Sequence, residues 1–319
     1  MMGGLVGIVL ALVIIVCLEL LNNKVRSVED IEERTGCPVI GEVASFNGSK
    51  NKDRSSDMDR SNLLLTSGSV PFYITESYKA LRTNFTFTVS ASEQKNVVMT
   101  SANPNEGKST TASNLAISLA QMGHKVLLID ADLRKPVLHR IFQIDNSGGL
   151  STMLCGMHEL KEVLHEAVVE NLDVLPAGVI PPNPAELLGS KKMREFLDQV
   201  NDTYAYVILD APPINTVSDA ITINGEIAGL LLVARFDRTK YDDINRAVKA
   251  VEFANLNILG FVLNDIAVKH SSGYYKSYYK NYYYKEYSHD EEGKMEENGA
   301  RGGGQKQRDK GVKYEVEFP

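Results

Sequence analysis

The residues best able to do chemistry fall into three clusters. The first is Ala102-Asn103-Pro104-Asn105-Glu106-Gly107-Lys108-Ser109-Thr110. A β-prone run, Val97–Thr100, precedes it, and a helical pattern, Ser109–Met122, follows it. In that setting a loop turns its backbone N–H groups and a helix N-terminus onto phosphate oxygens. The P-loop pattern asks for Gly at its first position, where this chain has Ala102, but the GKST core is intact. Asn105, Glu106, Gly107, Lys108, Ser109 and Thr110 are therefore expected to hold a nucleotide. Lys108 would bridge the β- and γ-phosphates and Ser109 would hold Mg2+. The second cluster, Asp130-Ala131-Asp132-Leu133-Arg134, ends the apolar run Val126–Ile129, and the third, Asp210, ends Val207–Leu209. Carboxylates at the sheet edge that carries a phosphate loop can bind Mg2+ or its waters and orient a nucleophile. One Asp at a strand end reads more simply as a helix cap; three beside a P-loop favour function.

These clusters need a scaffold that brings strand ends together. Apolar runs recur at Val97–Thr100, Val126–Ile129, Leu172–Leu175, Tyr206–Leu209, Leu230–Val233 and Ile258–Leu263. Helical patterns lie between several of them, at Ser109–Met122, Lys192–Val200 and Tyr241–Asn255. Such alternation predicts an α/β fold of the P-loop NTPase kind, a mainly parallel sheet with helices on both faces and ligands at the carboxyl ends of its strands. Upstream, Ser27-Val28-Glu29-Asp30 reads as a capped helix start, with Gly36 and Pro38 ending it. Ser45–Val70 is polar and reads as a connection, and Thr75 is placed to cap a helix over Glu76–Val89. The expected organisation is a transmembrane helix at 1–21, a linker at 22–70, the P-loop domain at 71–268 and a disordered tail at 269–319.

Bulk properties narrow the function. A chain of 319 residues with net charge −7 lacks the basic excess of a nucleic-acid binder. Cys17, Cys37 and Cys155 are odd in number and widely spaced, which argues against a disulfide framework or a zinc site. Met1–Leu18 contains no charged side chain, and eighteen helical residues span about 27 Å, close to a bilayer's hydrocarbon thickness. Lys24 and Arg26 follow this stretch and no basic residue precedes it, so a single-pass span would place the rest of the chain in the cytoplasm. A signal peptide would need a basic start and a small-residue cleavage site, neither of which is present.

The three clusters together resemble the bacterial tyrosine kinases of capsule and exopolysaccharide export. That family has a Walker A motif, a Walker A′ ending in DxDxR and a Walker B ending in Asp, matched here at Ala102–Thr110, Leu127–Arg134 and Val207–Asp210. The resemblance runs from about Leu5 to Tyr287 and implies an ATP- and Mg2+-dependent protein-tyrosine autokinase. It makes Lys108, Asp130, Asp132 and Asp210 the catalytic set. Asp130 would accept the tyrosine proton or orient the hydroxyl, Ser109, Asp132 and Asp210 would serve Mg2+, and Arg134 would join the nucleotide site. Glu76, Lys79, Arg82 and Asn84 resemble the family's ExxRxxRxN oligomerisation helix, with Lys79 replacing the first Arg and giving up its bidentate fork. They imply a ring-like homo-oligomer. Pro181–Leu188 resembles a family loop near the site. The span and the segment to Ala44 resemble the last membrane helix and cytoplasmic exit of a polysaccharide chain-length regulator. That family's periplasmic domain and first span precede this point, so the resemblance implies either a truncated version of such a protein or reliance on a co-polymerase partner subunit, with a tyrosine phosphatase as a further partner.

Beyond Asn264, eight tyrosines (Tyr274, Tyr275, Tyr278, Tyr279, Tyr282, Tyr283, Tyr284 and Tyr287) fall within fourteen residues. By composition they could equally be an adhesive low-complexity segment. The resemblance makes them the phosphoacceptors. Among rivals, a ParA/MinD-type ATPase shares the fold but usually carries a Lys early in the P-loop, where this chain has Asn103. An iron–sulfur carrier of that superfamily would need paired cysteines. A nucleotide-binding assembly subunit without activity sits poorly with an intact Lys108, Asp130, Asp132 and Asp210.

Overall fold

The computed structural model describes residues 23–46, 63–68, 70–223 and 227–267. The expected membrane span at 1–21 and the tail at 269–319, with its tyrosines, lie outside the described residues. No helix among the described residues is long and apolar enough to cross a membrane. In chain order the elements are α1 (Val28–Thr35), β1 (Val39–Ala44), α2 (Phe72–Ser90), β2 (Asn96–Ser101), α3 (Lys108–Ala120), β3 (Val126–Asp130), α4 (Leu138–Phe142), α5 (Leu150–Leu154), α6 (Leu160–Val163), β4 (His165–Val169), β5 (Leu172–Leu175), α7 (Pro184–Leu188), α8 (Lys191–Thr203), β6 (Tyr206–Asp210), α9 (Asp219–Thr222), β7 (Gly229–Arg235), α10 (Tyr241–Phe253) and β8 (Ile258–Ile266).

The eight strands form one sheet in the order β1-β8-β7-β2-β6-β3-β5-β4. All neighbours pair in parallel except β4 with β5. The apolar strand runs are buried on both faces, as a parallel sheet requires. Side chains alternate between two cores. Val98, Leu127, Ile129, Val207 and Leu209 pack on the side of α8 and α10, while Val97, Met99, Leu128 and Ile208 pack under α2 and α3. Tyr78, Leu81 and Phe85 anchor α2 with essentially no exposure, and burial of such a side chain contributes about 1.5–3 kcal/mol.

Two boundaries differ from the sequence reading. The capped helix start expected at Ser27 is α1, where Ser27 Oγ accepts from Asp30 N at 3.1 Å, but residues 22–70 also contain an unforeseen strand, β1, which pairs with β8. The strand, VIGEVA, has its apolar run broken by Gly41 and Glu42 and is only partly buried, which hides it. Its place is set by Ile40 and Val43 in the core and by Gly41, where a Cβ would come within 2.6 Å of Leu81 Cδ1. Helix α2 starts at Phe72 and leaves Thr75 inside its first turn. Pro71 has a preset φ of −57°, and the buried Ile74 rewards an earlier start.

The topology puts the chemistry at one edge. β2, β6 and β3 are neighbours, and their carboxyl ends carry the P-loop, Asp210 and the Asp130–Arg134 segment respectively.

Candidate functional site

The loop between β2 and α3 has the conformation a phosphate cradle needs. Asn105 and Gly107 adopt left-handed backbone, with φ of 64° and 94°. A Cβ on Gly107 would sit 2.0 Å from Asn264 Nδ2, so the position takes only Gly. Helix α3 opens at Lys108 without a side-chain cap, leaving its first-turn N–H groups for an anion.

Three groups outside the motif brace the loop. Asn264, on β8, donates its Nδ2 to Glu106 O at 2.9 Å. Arg235, at the end of β7, donates to Asn105 O at 3.1 Å and pairs with Asp265 at 2.6 Å. Thr239 donates its hydroxyl to Glu106 Oε1 at 2.6 Å, while Glu106 Oε2 accepts from Asn103 N at 2.9 Å. Glu106 is thus a buried internal strut. Burial, opposed by these hydrogen bonds, pushes its pKa up to about 7. Asn264, Arg235 and Thr239 could not be found from sequence, since each acts from a distant strand end with no motif of its own.

Lys108 is the hub. Its Nζ lies 3.1 Å from Asp210 Oδ1, 3.2 Å from Asp132 Oδ2 and 3.2 Å from Ser109 Oγ. Burial alone would lower its pKa, but Asp210 and Asp132 outweigh it and hold the ammonium above its ordinary value. Burial raises the Asp210 carboxyl, although Lys108 pulls the other way. Asp210 Oδ2 is buried with no hydrogen-bond partner. An orphaned carboxylate oxygen beside Ser109 and Asp132 fits a hard cation or one of its waters. No group of three or more His, Cys, Asp or Glu among the described residues could hold a metal alone. These donors therefore suit Mg2+ that takes much of its shell from phosphate and water.

The two carboxylates of the DxDxR segment part company. Asp132 lines the main cleft, next to Lys108 and Ser109, and its Oδ1 accepts from Lys135 N at 3.0 Å. Asp130 is fully buried. Its Oδ1 accepts from Asp132 N at 3.2 Å, and its Oδ2 accepts from Val137 N and Leu138 N, both at 2.9 Å. Burial, with Asp210 nearby, raises its pKa to about 7. In this arrangement Asp130 shapes the loop and is not among the residues that line the cleft, whereas the resemblance implies that it accepts the tyrosine proton or orients the hydroxyl. Arg134 lines the cleft, held by a bidentate pair with the fully buried Asp219 at 2.7 and 2.9 Å. Asp219 is a fourth residue the sequence did not reveal, being one unremarkable Asp after a Ser.

The cleft holds about 950 Å3 and runs from the P-loop to Val179 and Ile180. Thr110 lies on its wall and Glu106 does not. On α2 the four expected oligomerisation residues divide. Lys79 pairs with Glu76 on the helix surface at 2.6 Å. Arg82 donates to Ser118 O on α3 at 2.9 Å, and Asn84 donates to Ile40 O on β1 at 2.9 Å.

An AAA-domain family model matches residues 95–229. The chain is 41% identical to tyrosine-protein kinase YwqD of Bacillus subtilis over 227 residues, 70% of this chain and 94% of that protein. It is 33% identical to tyrosine-protein kinase etk of Escherichia coli over 286 residues, 86% of this chain but 39% of etk, so it spans about two fifths of that relative. The solved kinase domain of E. coli ETK superposes with a TM-score of 0.68 at 33% identity, covering 78% of this chain and 98% of that one. The chimerical protein CapA2B2 gives 0.66 at 33% identity, covering 76% and 100%. A mostly parallel P-loop sheet, a lysine between two carboxylates at its edge and a relative matched along nearly its whole length lead to one assignment: the chain belongs to the bacterial tyrosine-protein kinase family.

Proposed function

We propose that this kinase transfers the γ-phosphoryl group of ATP to tyrosines 274–287 of a neighbouring copy, and that the cycle regulates capsular or exopolysaccharide polymerisation and export at the cell membrane. The observation that carries this reading is where the acceptor segment begins. β8 ends at Ile266, and Asn264 on it bonds the P-loop at Glu106 O, so the chain leaves the sheet beside the nucleotide site. Eight tyrosines follow within twenty-one residues of that point. The fourteen-residue cluster reaches about 45 Å when extended, at ~3.3 Å per residue.

Lys108 moves from its carboxylate partners toward the β- and γ-phosphates, and the N–H groups at the start of α3 bind phosphate oxygens. Ser109, with Asp210 and Asp132 near it, would hold Mg2+, which would supply charge neutralisation at the phosphates. Asp132, the carboxylate on the cleft wall, orients the acceptor hydroxyl and takes its proton. The tyrosine oxygen bonds to the γ-phosphorus, the bond to the bridging oxygen breaks, and ADP leaves. Ring-like self-association through α2 presents tails to neighbouring sites. A membrane span at 1–21 keeps the catalytic part at the cytoplasmic face, where a co-polymerase subunit and a phosphatase would act on the cycle.

The test mixes an inactive Lys108→Met chain, tail intact, with an active chain whose eight tail tyrosines are Phe. Phosphotyrosine on the inactive chain is expected, and its absence there rejects transfer between copies.

A further inference from the structure

The segment that follows β5 is held with unusual firmness and yet displays two large aliphatic side chains. Leu150 N and Ser151 N donate to Pro176 O and Ala177 O at 2.8 and 2.9 Å. Asn146 brackets Gly178, accepting from its N–H at 2.9 Å and donating to its carbonyl at 3.1 Å. Ser151 Oγ donates to Val179 O at 2.6 Å. Gly178 has a φ of 76° and lies so near Gly149 that a Cβ on Gly149 would be 2.3 Å from Gly178 N. The backbone is therefore pinned up to Val179. Val179 and Ile180 are nevertheless 61% and 59% exposed, and both line the cleft that contains Lys108, Ser109 and Asp132.

A cleft of about 950 Å3 is at the upper end of the range for sites enclosing one small molecule, which leaves room for a second group beside a nucleotide. β5 adjoins β3, so the aliphatic pair stands at the same sheet edge as Asp132. Among the charged groups that line the cleft, the cations Lys108, Arg134, Lys135, Arg140 and Arg235 outnumber the carboxylate Asp132. The acceptor cluster carries Lys276, Lys280 and Lys285 among its tyrosines. Charge therefore does not draw that segment to this mouth, and contact with the neutral rings is what remains. Side chains on a pre-ordered backbone lose little freedom on binding, so contact made there is retained as affinity.

We propose that Val179 and Ile180 form the docking subsite for the phenol ring of the acceptor tyrosine, donated by residues 274–287 of a second copy. This rests on the transfer reading above and adds the surface that selects a tyrosine. Once the ring carries a phosphate, Lys135 and Arg140 face an anion where they had faced a neutral group.

The experiment uses the full chain with its eight tail tyrosines changed to Phe, and a synthetic peptide of residues 272–288 as acceptor. KM for the peptide and KM for Mg-ATP are measured in the parent, in Val179→Ser/Ile180→Ser and in Val179→Ile/Ile180→Val. In the Ser pair the peptide KM rises at least about tenfold more than the KM for Mg-ATP, equivalent to about 1.4 kcal/mol. The aliphatic swap stays within about threefold of the parent for the peptide, since volume-conserving apolar changes cost little. Equal rises in both constants would assign the pair to the nucleotide, and an unchanged peptide KM would leave it without a docking role; either overturns the subsite while peptide phosphorylation by the parent keeps the transfer reading intact. A parent that does not phosphorylate the peptide, together with an unaltered chain that does not phosphorylate its own tail, overturns both.

Discussion

Asp130 and Asp210 are register partners on adjacent parallel strands, two fully buried carboxylates side by side at the ends of β3 and β6. Burial, with Asp210 beside it, lifts Asp130 from 3.8 to about 7, and burial lifts Glu106 from 4.5 to about 7. A carboxyl raised on folding stabilises the fold fully below its unfolded pKa, and that contribution disappears as pH climbs through the folded value. The nucleotide-free protein should thus lose thermal stability between about pH 4 and 7, from the unfolded to the folded values. Asp130→Asn should flatten that slope, even though its absolute stability falls through a lost backbone acceptor. A parent whose melting temperature is level across this range counts against the buried-acid arrangement.

The positions of Asp130 and Asp132 predict different kinetic outcomes. Asp132 lines the cleft, so Asp132→Asn should cut kcat by at least about 100-fold, the scale of a positioned acid–base group. Asp130 acts through the Val137–Leu138 turn. Asp130→Asn should show its main effect in stability and a smaller one in kcat. If Asp130→Asn loses the greater share of kcat at saturating Mg-ATP, the assignment of Asp132 as the acceptor-facing carboxylate fails.

Lys108→Met should abolish phosphotyrosine formation, since transfer depends on charge neutralisation at the phosphates. It should also destabilise the fold. Lys108 lies within 3.2 Å of both Asp132 and Asp210, and removing one partner of a buried ion pair costs about 3–5 kcal/mol. Lys108→Met/Asp210→Asn should recover most of the lost melting temperature and none of the activity. A Lys108→Met protein as stable as the parent at neutral pH would mean the carboxylates are not held as charged partners.

Much of this was legible in the chain. The six apolar runs became six strands with at most three residues of error at an end, because buried parallel strands are continuously apolar; three of them stop at Asp130, at Asp210 and before Pro176. β1 and β4 were not legible. The first has an interrupted apolar pattern and is set by contacts with α2 and β8 that are remote in sequence. The second, His165–Val169, is a half-exposed antiparallel edge strand with a left-handed residue at Ala167. The motif residues of the site could be named in advance. The residues that hold them in place, Thr239, Asn264, Arg235 and Asp219, could not, since their effect depends on which strands become neighbours.

Helix α2 should separate self-association from packing. Glu76 and Lys79 pair with each other on the helix surface, whereas Arg82 and Asn84 are bonded into the same chain. Glu76→Ala/Lys79→Ala is expected to lower the mass seen by light scattering with little change in melting temperature, an exposed pair being worth about 0–1 kcal/mol. Arg82→Ala should lower the melting temperature, having left the Ser118 carbonyl without its donor. Equal masses for the Glu76→Ala/Lys79→Ala variant and the parent would remove this face from the assembly.

The last prediction concerns Thr239, which joins the P-loop to the chain's first described residues. Its hydroxyl donates to Glu106 Oε1 and accepts from Arg235 N at 2.7 Å, while its carbonyl accepts from Val25 N at 2.8 Å. Asp237 N donates to Val25 O, and Tyr241 N donates to Asn23 O. The turn from Arg235 to Tyr241 is therefore clamped on one side by residues 23–25 and grips the phosphate loop on the other. Thr239→Val keeps the shape and removes the hydroxyl, leaving Glu106 with one fewer donor and Arg235 N without its Thr239 acceptor. Glu106 holds Asn103 N, so the loop's anion-binding geometry loosens, and the KM for ATP should rise about 5- to 30-fold for a loss of about 1–2 kcal/mol. The kcat at saturating Mg-ATP should fall much less, because Lys108 and Asp132 are untouched. Thr239→Ser restores the hydroxyl and should return the KM to near the parent's value. A general loss of packing would lower kcat and melting temperature together and would not respond to the hydroxyl; that pattern, or a Ser variant no better than Val, rejects Thr239 as the residue that positions the loop.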